Sequence, residues 1–162
     1  MWTLISLHGQ VDQKKTTRNL QTPKAVNIEF QWGDWIKGNF PSPELDQFKI
    51  LFRNAIKQAG FVEGDHNNPA IPRLRVSLDG TGLVTFVGGG GTQSSVQYKL
   101  SFVTTSQAGQ VLFEKRYKGT VLGGSGKTNR KEGNVTTTYL GVDVTAYQLR
   151  NDIANKLKSD PL

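Results

Sequence analysis

The chain is predicted to be α+β: a two-layer sandwich in which a mostly antiparallel sheet of four or five strands carries two helices on one face. Three observations predict this. Several stretches alternate apolar and polar residues with a period of two, the mark of strands with one buried face. Two stretches repeat apolar residues every three or four positions, the mark of amphipathic helices. Their order is strand, helix, a run of three or four strands, helix, which suits a meander covered on one side rather than alternating strand–helix units. The 162 residues suit one domain with a sizeable core. We read residues 1–23 as a polar N-terminal arm and 24–162 as a single α+β domain.

The first strand is "AVNIEFQW", in which Val26, Ile28, Phe30 and Trp32 alternate with Ala25, Asn27, Glu29 and Gln31. "GDWIKGNF" reads as a loop. "PSPELDQFKILFRNAIKQAG" then carries a complete set of helix signals. Ser42 suits the N-cap, Pro43 the first helical position, and Glu44 and Asp46 the positive end. Leu45, Phe48, Phe52, Ala55, Ile56 and Ala59 form one stripe, and Gly60 is placed to end the helix. "VEGDHNNPAIP" reads as a turn-rich connector.

Next, "RLRVSLD" places Leu74, Val76 and Leu78 on one face, and "GTGLVTFVGGGG" continues that strand or forms its neighbour, its four glycines reading as a hairpin loop. "VQYKLSFV" places Val96, Tyr98, Leu100 and Phe102 together, and Gly109 in "TTSQAGQ" is available for a positive φ in the following turn. In "VLFEKRYKGTVL", Val111, Phe113, Tyr117 and Val121 face one way and Glu114, Arg116 and Lys118 the other. Residues 123–134 read as a flexible loop, because they are polar or glycine and offer no core contact. In "TTTYLGVDVTAYQLRNDIANKLKSD", Val142, Ala146, Leu149, Ile153 and Leu157 predict a final helix near 140–158.

"VLGGSGKTNRKEG" raises the question of a phosphate-binding loop, since Gly126, Lys127 and Thr128 match its ending. The pattern also needs a glycine at position 121, which is Val121 here, and a helix directly after the loop. "NRKEGN" has no apolar stripe to make that helix, so no nucleotide site is expected. The four glycines 88–91 lead into a strand rather than a helix, so they make no dinucleotide fingerprint either.

Other chemistry is thinly represented. With no cysteine there is no disulfide, thiol nucleophile, thiolate-bound zinc or lipid-acceptor cysteine in this sequence. His8 and His66 are far apart, and Asp34, Glu44 and His66 would have to gather in a pocket to suggest catalysis. We therefore expect no enzyme, no cofactor and no metal. Charge is more informative. The chain carries 20 Lys and Arg against 13 Asp and Glu, a net +7. Lys99, Lys115, Arg116, Lys118, Lys127, Arg130 and Lys131 stand against Glu114 alone between positions 95 and 131. That balance favours an anionic partner. Trp32 and Trp35 suit a half-wet surface. The candidate binding surface is therefore Trp32, Trp35, Arg116, Lys118, Lys127, Arg130 and Lys131.

The element order, with "AVNIEFQW" leading to "LFRNAIKQAGF", then "QVLFEKRYKGTV", a loop and a helix of form A-x-x-L-x-x-x-I-x-x-x-L (Ala146, Leu149, Ile153, Leu157), resembles small Gram-negative envelope lipoprotein domains. These include the lipopolysaccharide-assembly lipoprotein, auxiliary lipoproteins of transporters and curli-type secretion lipoproteins. The resemblance covers about residues 24–158. It implies a non-enzymatic structural or interaction module in an envelope assembly or transport system. Such a module meets other envelope proteins or a membrane surface, acidic ones by the charge argument, and is compatible with a homo- or hetero-oligomer. The implied compartment is periplasmic or outer-membrane-associated where a signal has been removed, and cytoplasmic otherwise. The competing expectation from charge alone is a basic nucleic-acid-binding domain.

Overall fold

The computed structural model describes residues 24–87, 91–123, 127–132, 135–138 and 142–162. The arm assigned to residues 1–23 lies outside them. The described elements are β1 (Lys24–Trp32), α1 (Asp34–Asn39), α2 (Ser42–Gln58), β2 (Phe61–Glu63), β3 (Arg73–Val87), β4 (Gly91–Thr105), β5 (Val111–Gly123), β6 (Lys127–Glu132), β7 (Val135–Thr138) and α3 (Val142–Ser159). Five strands form one sheet in the order β2-β1-β3-β4-β5, and β6 and β7 form a separate pair. The fold is α+β, as predicted.

The core lies between this sheet and the helices. Val26 and Ile28 of β1, Leu74, Val76 and Leu78 of β3, and Val96, Tyr98, Leu100 and Phe102 of β4 are buried on one sheet face. Helix α2 closes over them with Phe48, Phe52 and Ile56, and α3 with Ala146, Leu149, Ile153 and Leu157. Aromatic side chains join the layers. Phe52 meets Phe102 edge-on at 5.8 Å between ring centres, and Trp32 lies 6.3 Å from both Phe48 and Phe52. Each such side chain contributes about 1.5–3 kcal/mol on burial, so this seam dominates the stability of the sandwich. The two helices are also joined by an ion pair between Arg150 of α3 and Glu44 of α2.

The structure departs from expectation in six places. β1 runs parallel to both β2 and β3, because α2 returns the chain to the same end of the sheet before β2 begins. β3, β4 and β5 are antiparallel. "GDWIKGNF" is not a loop: residues 34–39 form the short helix α1, with Ile36 fully buried and Asp34 paired with Lys37 at 3.4 Å. Ser42 is the first helical residue rather than the cap. The cap is Pro41, at φ −71° and ψ 162°, whose carbonyl accepts the amides of Glu44 and Leu45. The connector after α2 contains β2, which adds to the free side of β1.

The fifth departure is at Val111, which is about half exposed rather than in the core. Thr104 pairs with Phe113 but Thr105 pairs with Val111, so Leu112 is an extra residue. This bulge turns Val111 to the other face. The sixth concerns residues 123–134. Lys127–Glu132 is a strand paired with Val135–Thr138, so the segment is not simply a loop, and α3 starts at Val142. Gly60 and Gly109 do take the positive φ expected of them, at 90° and 82°.

Candidate functional site

Both long helices cover the same face of the five-stranded sheet, and among the described residues nothing covers the other. On that open face the strand registers set side chains in transverse rows. One row is Glu29, Arg75, Val103 and Glu114; the next is Gln31, Ser77, Ser101 and Arg116; the third is Asp79, Lys99 and Lys118. The strands alternate apolar and polar residues, so the same pattern that fills the core places these groups on the solvent side.

Most charges here are matched. Glu29 lies 3.8 Å from both Arg73 and Arg75, and Glu114 accepts a 2.6 Å hydrogen bond from Arg116. Asp79 accepts the amide of Gly80 at 2.8 Å, and its carboxylate lies where a side chain at Gly33 would stand, on the β1 side of β3. Lys99 and Lys118 differ. They are direct cross-strand partners, both exposed, and among the described residues neither has an ion-pair partner. Like charges directly opposite on a sheet are destabilising. The fold itself gains nothing from this pair.

The two lysines border a hollow of about 520 Å³ together with Asp79, Thr81, Gln97 and Thr120. Its middle row is Gly80, Tyr98 and Gly119, consecutive partners across β3, β4 and β5. The glycines have a packing reason. A Cβ at Gly119 would lie 2.7 Å from the Tyr98 ring, and one at Gly80 would lie 2.9 Å from the Trp35 indole. Tyr98 leans past Gly119 on the covered face and donates a 2.5 Å hydrogen bond to Asp152 of α3. Burial pushes the Tyr98 hydroxyl well above the usual tyrosine range, and the hydrogen bond to Asp152 and its charge push it further. Tyr117 is raised too, by burial and then by the charge of Asp160. A second hollow of about 750 Å³ lies at the other end of the same face, bordered by Glu29, His66, Arg73 and Ser106.

The sequence-predicted candidates fall in three places. Arg116 and Lys118 stand on the open face. Trp32 and Trp35 belong to the helix side: Trp32 stacks on Phe30 at 6.0 Å, and Trp35 meets Phe40 at 5.7 Å and covers Gly80 and Gly82. Lys127, Arg130 and Lys131 lie in β6, so the residue after Gly126 opens a strand and not a phosphate-binding helix. Asp34, Glu44 and His66 have separate partners, Lys37, Arg150 and Glu63. Among the described residues no group of three or more His, Cys, Asp or Glu could hold a metal, and no helix is long and apolar enough to cross a membrane.

No protein-family model matches the chain, and no curated protein does. Solved structures do. A neuraminyllactose-binding hemagglutinin homolog from Helicobacter pylori is 9% identical, with 85% of this chain and 83% of that chain covered and a TM-score of 0.46. A minor lipoprotein from Acinetobacter baumannii is 13% identical over 86% of this chain and 96% of its own, at a TM-score of 0.44. The rare lipoprotein B from Shewanella oneidensis is 12% identical over 84% and 92%, at 0.42. Solved structures similar to the chain thus include bacterial lipoproteins. At such identities their ligands and partners remain their own.

Lys99 is not among the sequence candidates and counts in the sequence only toward the net charge. Its signal was available in the alternation: Lys99 follows Tyr98 on β4 as Lys118 follows Tyr117 on β5. Only the register shows that the two meet.

Proposed function

We propose that this chain is a non-enzymatic interaction module of a bacterial envelope assembly, periplasmic or outer-membrane-associated, and that its open sheet face docks an acidic segment of another envelope protein. The observation that carries this reading is the Lys99–Lys118 pair beside its hollow. Two lysines set directly opposite each other cost the fold stability, Asp79 faces only Lys99 of the two, and an incoming carboxylate beside them offsets that cost. The resemblance of the element order to envelope lipoprotein domains supports the compartment.

The mixed signs of the face favour protein over other anions. Nucleic acid and anionic lipid present uniform negative charge and are best met by uniformly basic surfaces. Here Glu29, Asp79 and Glu114 interrupt the basic rows, so a complementary surface needs positive groups as well as carboxylates.

A photo-crosslinking residue at Thr120, exposed next to the lysines, tests this in cells that make the protein. The expected adduct is one envelope protein whose linked peptide is rich in Asp and Glu. It should disappear when Lys99 and Lys118 are both changed to Glu. Adducts from exposed Lys57 on α2 but none from Thr120 would overturn the reading. A tight, steeply salt-dependent complex with a random oligonucleotide would replace it with nucleic-acid binding.

A further inference from the structure

We propose that β5 is a self-pairing edge, through which two copies of this chain join antiparallel into one continuous ten-stranded sheet centred on Lys115. The inference rests on the rim of the sheet and does not depend on what docks beside Lys99 and Lys118. β5 is a 13-residue strand at the sheet's end, and no described strand pairs with its outer side. A long free edge carries a row of unsatisfied amides and carbonyls and is a template for another strand. Of the six exposed large apolar side chains among the described residues, Val111, Leu112 and Leu122 are on this one strand, so apolar exposure is concentrated at the same rim.

The charge pattern selects the occupant and the register. In a two-fold antiparallel pair, facing residues share a sheet face, so the centre must fall on a residue. Centring on Glu114 sets carboxylate against carboxylate. Arg116 at the centre meets itself, and Tyr117 at the centre sets Arg116 against the partner's Lys118. Centring on Lys115 is different. Glu114 then faces the partner's Arg116 on the open side, and the reciprocal pair completes a ring of four alternating charges. On the helix side Phe113, packed on Phe61 at 5.8 Å, is set opposite the partner's Tyr117, which is buried against Phe102, so no charge is opposed there. The two Lys115 ammonium groups meet at the centre, but each is already held by Asp160 of its own chain at 2.6 Å. The strand is self-complementary in this register, and a second copy of the chain supplies the matching sequence by symmetry.

The bulge at Leu112 confines regular pairing to the residues around Lys115. The expected dimer is therefore reversible and concentration-dependent, with both helical layers on the same side of the joined sheet.

Sedimentation equilibrium of the whole chain from about 1 µM to about 100 µM tests the proposal. A monomer–dimer equilibrium is expected. Glu114→Arg alone and Arg116→Glu alone should each weaken it by about tenfold or more, because each sets like charges against each other twice. The double exchange, Glu114→Arg with Arg116→Glu, should restore it. Circular dichroism and melting of each variant separate loss of pairing from loss of folding. A wild type that stays monomeric throughout the range overturns the proposal. So do single reversals that dimerise like the wild type while remaining folded.

Discussion

Tyr98 is where one side chain ties the two layers together. Its ring is 2% exposed, fits over Gly119, and its hydroxyl reaches Asp152, which Lys156 also approaches at 3.7 Å. Burial and Asp152 both oppose ionisation, so the folded pKa lies above the unfolded value of about 10. The sign follows from linkage. Below about pH 10 the hydroxyl is protonated in both states and its contribution is complete; above that the unfolded chain releases the proton first and stability falls as pH rises. Tyr117, raised in the same direction, adds to the slope. Melting temperature should therefore drop steadily above about pH 10. Tyr98→Phe should be less stable at neutral pH, since Asp152 loses its donor, yet show a shallower alkaline decline. An unchanged alkaline slope in that variant would remove Tyr98 from this account.

Helix α2 is held through Phe48, Phe52 and Ile56, all essentially inaccessible, whereas Ile50 on the same helix is 53% exposed. Phe52→Ala should cost about 3–5 kcal/mol in denaturant unfolding, because Phe102 and Trp32 lose a ring neighbour and leave a cavity. Ile50→Ala should stay within about 0.5 kcal/mol. These stripes were legible in the sequence because burial on one side of a helix or strand imposes a period, and the period survives without any knowledge of the partner. Three things were not legible for physical reasons. α1 is a six-residue helix, too short to show a period, and is held by Ile36 packing on β3 near Gly80. The direction of β1 depends on which neighbours it finds, which no local pattern records. The β6–β7 pair did leave a trace: Gly133–Asn134 is a two-residue hairpin signal before the β-prone "VTTT". The flanking residues are mostly polar on both faces, so no alternation supports that signal. The candidate site was less legible still. Lys118 was among the sequence candidates, but its opposition to Lys99 is a property of register, which arises only when the sheet assembles.

At the scale of the whole molecule, the sandwich is one-sided. Apolar alternation and two helical stripes close one face of the sheet, and among the described residues the other presents ordered charge with one unfavourable pair, Lys99 and Lys118, beside the β5 edge. If Lys99 and Lys118 are held together for binding rather than for folding, stability and docking must respond in opposite directions to the same substitution. Lys118→Glu is that substitution, since it sets a carboxylate directly opposite Lys99. Such a cross-strand pair should stabilise the isolated domain by about 0.2–1 kcal/mol in place of the present repulsion. The same change should abolish the adduct formed from Thr120 in cells. The most direct measurement is this pair of readouts on the one variant. A more stable domain that no longer captures its acidic partner is the result expected; a less stable domain that still captures it would contradict the account.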